Sequence, residues 1–293
     1  MLKKFKKLFA KQIKLPVFIN TWNNRVIART GTPYTPDLLT YSAKLGKKFK
    51  PNFIKVEESF FMKDLKKLLQ RDLNKYGFIT ENLKFLDDVL KLIGKVKIPE
   101  QIIQELEWLK NNFSYNYHHI VAVTALSTRI ARDFMLEEKD VYEVTEAAML
   151  YDIGIGRVPL KLMQKVGKLS PDERNIINCH PIYSALLVAH YYQDENYYLV
   201  DPILNHHENL DGSGYPRNTK NNNVISHIIR ISDTFDALIS ARPFRKFFKT
   251  WQAFKICEDL INAGKIIPEI LPIIYSYYLF VNQYPSEVQE TNQ

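Results

Sequence analysis

Four of the chain's seven histidines, His119, His180, His206 and His207, stand in helical contexts where apolar side chains would be expected. His119 precedes Val123, Leu126 and Ile130 by four, seven and eleven residues, so its imidazole shares their inward face. One inward histidine is ordinarily a core residue with its hydrogen bonds met. Four of them, with Asp152 and Asp233 on other apolar helical segments, are harder to satisfy separately. Each unpaired buried imidazole or carboxylate costs free energy, and a shared metal ion answers all of them at once. The chemistry implied is metal binding.

The supporting elements carry their own signals. Ser170-Pro171-Asp172-Glu173 combines an N-cap serine, an N1 proline and an N3 glutamate, which predicts a helix from about 171 with His180 near its C-terminus. Ser226 is expected to cap a helix through Ile229, Asp233 and Ala237. His206 and His207 are neighbours about 100 degrees apart on a helix, so they converge only at a helix end. The following Glu208-Asn209-Leu210-Asp211-Gly212 provides one.

Five segments follow from composition and periodicity. Residues 1–14 read as a basic amphipathic leader, with Leu2, Phe5, Leu8, Phe9 and Ile13 near helical spacing among lysines. Residues 15–60 read as a small α+β module: a hairpin of Leu15 to Ile19 with Val26 to Ala28, a helix opened by Thr35-Pro36-Asp37, and a strand at Phe53 to Val56. Residues 61–111 read as a helical connector without chemical residues, 112–280 as an all-helical domain, and 281–293 as a tail. The fold class is therefore mainly α.

Composition narrows the function. With 46% hydrophobic and 13% aromatic residues, the chain has ample material for a core. The net charge of +8 is unevenly placed: residues 1 to 50 hold twelve Lys and Arg against Asp37 alone, and the remainder is slightly acidic. A nucleic-acid-binding body would carry the excess itself, so no DNA or RNA partner is expected. The basic end instead suits a protein partner or an anionic membrane surface. Cys179 and Cys257 form no CxxC pair, which fits a reducing cytoplasm. The opening MLKKFKKLFAKQIKL lacks the apolar run of a signal peptide, and Ile266 to Val281 is interrupted by Pro268, Glu269 and Pro272. A cytoplasmic protein is expected, with the inner membrane surface as a peripheral site.

The run His206-His207-Glu208-Asn209-Leu210-Asp211-Gly212-Ser213-Gly214-Tyr215-Pro216 resembles the HHExxDGxGYP motif of the HD-GYP family of metal-dependent phosphohydrolases, most of them cyclic-di-GMP phosphodiesterases. Ordered companions extend the resemblance over about 112–280: AMLYDIG at 148–154, KVGKLSPDE at 165–173, His180-Pro181, RISDTFDALISARPFR at 230–245 and GKIIPEIL at 264–271. The resemblance implies an all-helical domain holding two divalent metals, iron or manganese, and taking cyclic-di-GMP or a related cyclic dinucleotide. It also implies His119, Asp152 and Asp233 on the first metal and Asp152, His180, His206 and His207 on the second, with Asp152 the catalytic bridge. Tyr215, on a loop freed by Gly214 and Gly212, would stack a guanine, and Arg242 and Arg245 would grip phosphate.

The sequence departs from that family at its defining motif. Where His-Asp-Ile-Gly-Lys is usual, this chain reads Tyr151-Asp152-Ile153-Gly154-Ile155, while Ser184 replaces a glycine and Tyr115 an early glutamate. Tyr151 either packs or ligates as tyrosinate, which requires losing a proton from a reference pKa near 10. Loss of a cation beside the reacting phosphate typically costs about 10² to 10³ in rate. The expectation is a metal-binding protein of cyclic-di-GMP signalling with weak or absent hydrolysis. The alternatives are an active phosphodiesterase with a variant first metal site, and a metal-free interaction protein.

Overall fold

The computed structural model describes residues 13–80, 83–134, 137–195, 197–240 and 247–283. The basic leader up to Gln12, and Arg242 and Arg245, lie outside the described residues. Helices dominate, in keeping with the mainly α expectation, and one contiguous apolar core runs from Leu15 and Ile19 to Tyr277. No helix among the described residues is long and apolar enough to cross a membrane.

The chain opens with β1 (Ile19–Asn20) and β2 (Val26–Ala28), an antiparallel pair with Ile19 opposite Ala28. The strand read over Leu15 to Ile19 shortens to its end, since Pro16 has no N–H to give a ladder. Helix α1 (Pro36–Gly46) begins where Thr35-Pro36 predicts, with Pro36 in its first turn, although the Thr35 side chain makes no capping bond. Strand β3 (Phe53–Lys55) is followed by a 3₁₀ turn and α2 (Phe60–Arg71), α3 (Leu73–Thr80) and α4 (Leu83–Lys95).

Next comes β4 (Lys97–Pro99), inside the span read as a purely helical connector, and it pairs antiparallel with β3 through Ile54 and Ile98. Lys97–Pro99 lies directly between two strongly helical stretches, so its extended character is hidden by the helical pattern on either side. Helix α5 (Glu100–Asn112) carries Glu105, fully buried. Its carboxylate accepts from the Trp22 backbone N–H at 2.9 Å, the Tyr191 hydroxyl at 2.5 Å and Arg157 Nη2 at 2.6 and 2.8 Å. The N-terminal hairpin is thus fastened to the body by a buried charge whose lone pairs are well used.

The remaining helices build the scaffold of the histidine site. They are α6 (Ser114–Phe134), α7 (Glu138–Leu150), the short α8 (Leu160–Met163), α9 (Pro171–Asn178), α10 (His180–Tyr192), α11 (Val200–Asn205), α12 (Val224–Ile239), α13 (Thr250–Asn262) and α14 (Leu271–Gln283). Helix α6 packs between α7 and α12, and α10 packs on α1, α11 and the 3₁₀ turn Ile153–Arg157. The small polar residues inside α6 are satisfied locally: Thr124 donates to Ile120 O at 2.8 Å and Thr128 to Thr124 O at 2.7 Å. The 3₁₀ turn after Asp152 approaches α10 so closely that a Cβ on Gly154 would lie 2.3 Å from Ser184 N. Ser184 uses its hydroxyl there to accept from Gly154 N at 2.9 Å.

Three sequence expectations need correction. The capping box at Ser170 forms, with Glu173 N to Ser170 Oγ at 3.2 Å and Ser170 N to Glu173 Oε2 at 2.7 Å. Its helix, however, ends at Asn178, and His180 opens a second one. Pro181 cannot donate into a continuous ladder and instead suits the first turn of α10. Ser226 is not the cap of α12, since Asn223 caps it by accepting from Ser226 N at 3.2 Å. Helix α14 runs on through Gln283, so the first residues assigned to a tail are helical.

Candidate metal centre

Five elements converge on one point. The first turns of α6 bring His119 and the end of α7 brings Tyr151 and Asp152, while the start of α10 brings His180. The end of α11 delivers His206 and His207, as adjacent convergent histidines require, and α12 contributes Asp233. All four histidines and Asp152 are nearly inaccessible to solvent.

His180, His206 and His207 place their nitrogens within 4.8 Å of one another. His180 Nδ1 donates to Ile177 O at 2.8 Å, and His206 Nδ1 to Ile203 O at 2.6 Å. Each neutral ring therefore carries its proton on Nδ1, and each Nε2 is a bare lone pair. Those two Nε2 atoms face each other at 3.1 Å, and Asp152 Oδ1 is 3.5 Å from His180 Nε2. A proton between the rings is disfavoured: burial lowers the His180 pKa to about 4, and burial with the neighbouring His180 lowers that of His206 to about 3. Burial and His206 likewise push His207 well below the imidazole range. Facing lone pairs with backbone-fixed tautomers are what a divalent metal needs from imidazole ligands.

The opposite half is acidic and holds its proton. His119 sits between two carboxylates, with Nε2 2.8 Å from Asp233 Oδ1 and Nδ1 2.5 Å from Asp236 Oδ2. Burial alone would lower its pKa, but the hydrogen-bonded Asp233 and Asp236 outweigh it and keep His119 charged well above the ordinary range. Burial pulls Asp233 upward and the His119 contact overrules it, leaving its pKa at about 2. Metal binding on this half must displace the His119 proton.

Tyr151 lies between the halves. Its ring is fully buried, perpendicular to His206 with centroids 4.9 Å apart, and 6.4 Å from His119. Its hydroxyl is buried without a hydrogen-bond partner among the described residues. Burial, then the charges of Asp233 and Asp152, raise its pKa well above 10. Ile155 is 4% exposed in the 3₁₀ turn beyond Asp152.

Tyr215 stacks one ring face on His207, with centroids 4.5 Å apart and planes 24° from parallel. Gly214 is required there, since a Cβ would lie 2.3 Å from His207 O. Glu208, between the histidines and this loop, faces away from the cluster. Its carboxylate accepts from the backbone N–H groups of Arg217 at 2.6 Å and Thr219 at 3.0 Å, which holds the loop in place.

Sequence reasoning brings six ligand candidates to one place and misses two partners, Asp236 and Arg230. Asp236, which fixes His119, stands one turn after Asp233 on α12, a spacing that could have flagged it. Arg230, whose Nη1 contacts His207 Nδ1, is one turn before Asp233. Tyr115 stacks on His119 at 6.1 Å.

Residues 84–266 match the model described as "HD domain", more than half of the chain. The chain belongs to the HD-domain family. The HHExxDGxGYP run places this HD domain in the HD-GYP branch. Among curated HD relatives, a cyclic di-GMP phosphodiesterase of Thermotoga maritima is 31% identical over 217 residues, covering 72% of this chain and 55% of the relative. A cyclic di-GMP phosphodiesterase of Pseudomonas aeruginosa is 34% identical over 149 residues, covering 50% of this chain and 36% of the relative. The chain thus spans between about a third and just over half of these relatives. Among solved structures, an HDGYP protein from Bdellovibrio bacteriovorus aligns over 92% of this chain and 97% of its own, at 15% identity and a TM-score of 0.46.

Proposed function

We propose that this HD domain binds divalent metal through His180, His206, His207 and Asp152, with a weaker first site at His119, Asp152 and Asp233. We propose further that it binds cyclic-di-GMP or a related cyclic dinucleotide and hydrolyses it weakly or not at all. The facing Nε2 atoms of His180 and His206, 3.1 Å apart with both Nδ1 protons committed to backbone carbonyls, carry the metal reading. Iron or manganese suits a buried imidazole and carboxylate set. Such ions supply Lewis-acid stabilisation of phosphoryl oxygens and a lowered water pKa.

The chain's own residues would bind and orient. Asp152, within reach of His180, is the bridging and catalytic candidate, and Tyr215, whose ring lies against His207 and near His180, is the candidate to contact a base. Arg242 and Arg245 remain phosphate-binding proposals that rest on the sequence alone. Attenuated hydrolysis rests on Ile155, an apolar side chain where the family resemblance expects a lysine cation, and on Tyr151 in place of an imidazole. The second reading, an active phosphodiesterase with Tyr151 as a ligand, is favoured by its unpartnered hydroxyl beside Asp152 and Asp233.

The test is direct. Anaerobically purified protein should contain bound iron or manganese, bind a fluorescent cyclic-di-GMP analogue, and release little linear dinucleotide. The double variant Tyr151→His with Ile155→Lys should hydrolyse about 10² to 10³ faster. Wild-type turnover as fast as that of the double variant would overturn the attenuation, and absence of metal would overturn the whole reading.

A further inference from the structure

Helix α3 lies before the residues that match the HD-domain model, yet it reaches the back of the His119 half of the centre. Tyr76 is 2% exposed, and its hydroxyl donates to Asp236 Oδ1. The other oxygen of that carboxylate accepts from His119 Nδ1 at 2.5 Å. Ser240 Oγ sits 3.3 and 3.2 Å from the two oxygens. The helix is anchored two residues on, where Phe78 packs against Phe235 of α12 at 5.7 Å, Phe254 at 5.4 Å and Tyr277 at 4.7 Å. The phenol and the carboxylate are therefore held in register by an aromatic cluster, not by the metal-site residues themselves. A cavity of about 240 Å³, lined by Tyr76, Tyr115, His119 and Asp236, adjoins this chain of bonds.

We infer that Tyr76 is a positioning residue for the His119 half of the centre, acting through Asp236 from a helix outside the HD-domain match; the inference rests on the metal binding proposed above. A carboxylate pinned at one oxygen by a phenol cannot swing away from the imidazole at its other oxygen. The Nδ1 proton of His119 then stays on the Asp236 side, and Nε2 stays directed toward Asp233. Outer partners of ligating imidazoles set ring orientation and basicity, and their loss typically costs about 10- to 100-fold in metal affinity. Control of one half of the site is thereby placed in the segment that precedes the family match.

The experiment uses the metal-stripped full chain titrated with Mn²⁺, with free Mn²⁺ read by electron paramagnetic resonance. Wild type should show two classes, and His119→Ala should remove the weaker. Tyr76→Phe should weaken that same class about 10- to 100-fold and leave the His180, His206 and His207 class unchanged. Asp236→Asn should do likewise. In the metal-free protein, Tyr76→Phe should also shift the imidazole ¹⁵N resonances of His119 while those of His180 and His206 stay in place. Equal weakening of both classes, or no change in either together with unmoved His119 resonances, overturns the inference. A wild type with only the tighter class overturns it and leaves metal binding standing, and a wild type without Mn²⁺ overturns both.

Discussion

Replacing Tyr151 by phenylalanine removes one oxygen atom and separates the two readings of the centre. The hydroxyl is buried and has no hydrogen-bond partner among the described residues. Leaving such a group without a hydrogen bond costs about 1–3 kcal/mol, and deleting it should return that amount to the metal-free protein. With an unfolding entropy of about 2 cal/mol/K per residue, the chain gains about 2–5 °C in Tm. The sign is unusual, since most core substitutions destabilise. Metal then supplies the second arm. A ligand-bound protein is stabilised by RT ln(1 + [L]/Kd), so a 10- to 100-fold loss of affinity would cut the metal-induced shift by about 1.4–2.7 kcal/mol. The proposed site uses His180, His206, His207 and Asp152 for its tighter metal, so the Mn²⁺-induced rise in Tm should be equal in wild type and Tyr151→Phe. Differential scanning calorimetry with and without Mn²⁺ measures both arms. A lower metal-free Tm in the variant would refute the reasoning that the hydroxyl is orphaned, and a diminished Mn²⁺ shift would establish Tyr151 as a ligand.

Other consequences are simpler to state. Gly154→Ala drives a Cβ to 2.3 Å from the Ser184 backbone and should destabilise by about 1–3 kcal/mol or more in urea unfolding, with a weakened metal centre since Asp152 is two residues away. Ser170→Ala breaks the capping box and should cost about 1 kcal/mol in the same assay, leaving metal content intact. The metal-free protein should lose stability as pH falls from about 6.5 toward 4. His180 and His206 stay neutral when folded, with pKa values of about 4 and 3, yet take up protons when unfolded. The opposing contribution of His119, protonated in the fold, is complete below the unfolded pKa and so changes little lower in that window. Chemical denaturation at pH 7 and pH 5 tests the slope, which flat or inverted values would contradict.

The ligand candidates were legible because imidazoles at helical spacing on apolar faces leave few ways to be satisfied. His206 and His207 even announce their helix end, since adjacent residues cannot otherwise converge. The capping box at Ser170 was readable because both its bonds are local. What escaped depends on contacts distant along the chain. Tyr76 meets Asp236 across 160 residues, and Glu105 gathers Trp22, Arg157 and Tyr191 from three separate segments. No periodicity records such meetings. The break at Cys179 escaped for another reason: apolar spacing continues across it, and only the proline after His180 interrupts the ladder.

The pairing of β3 with β4 bears on how the chain can be divided. A fragment limited to residues 84–266 would keep β4 and discard β3, the strand it pairs with, leaving Ile98 and the β4 backbone as a raw edge. It would also strip α1 from α10, where Ser42 Oγ donates to Leu186 O at 2.8 Å. Bare edges and uncovered apolar faces recruit other chains, so such a fragment should self-associate on concentration. The first third of the molecule therefore covers an open strand edge and an apolar helix face of the HD domain, and a fragment trimmed to the family boundary should be more adhesive than the full chain.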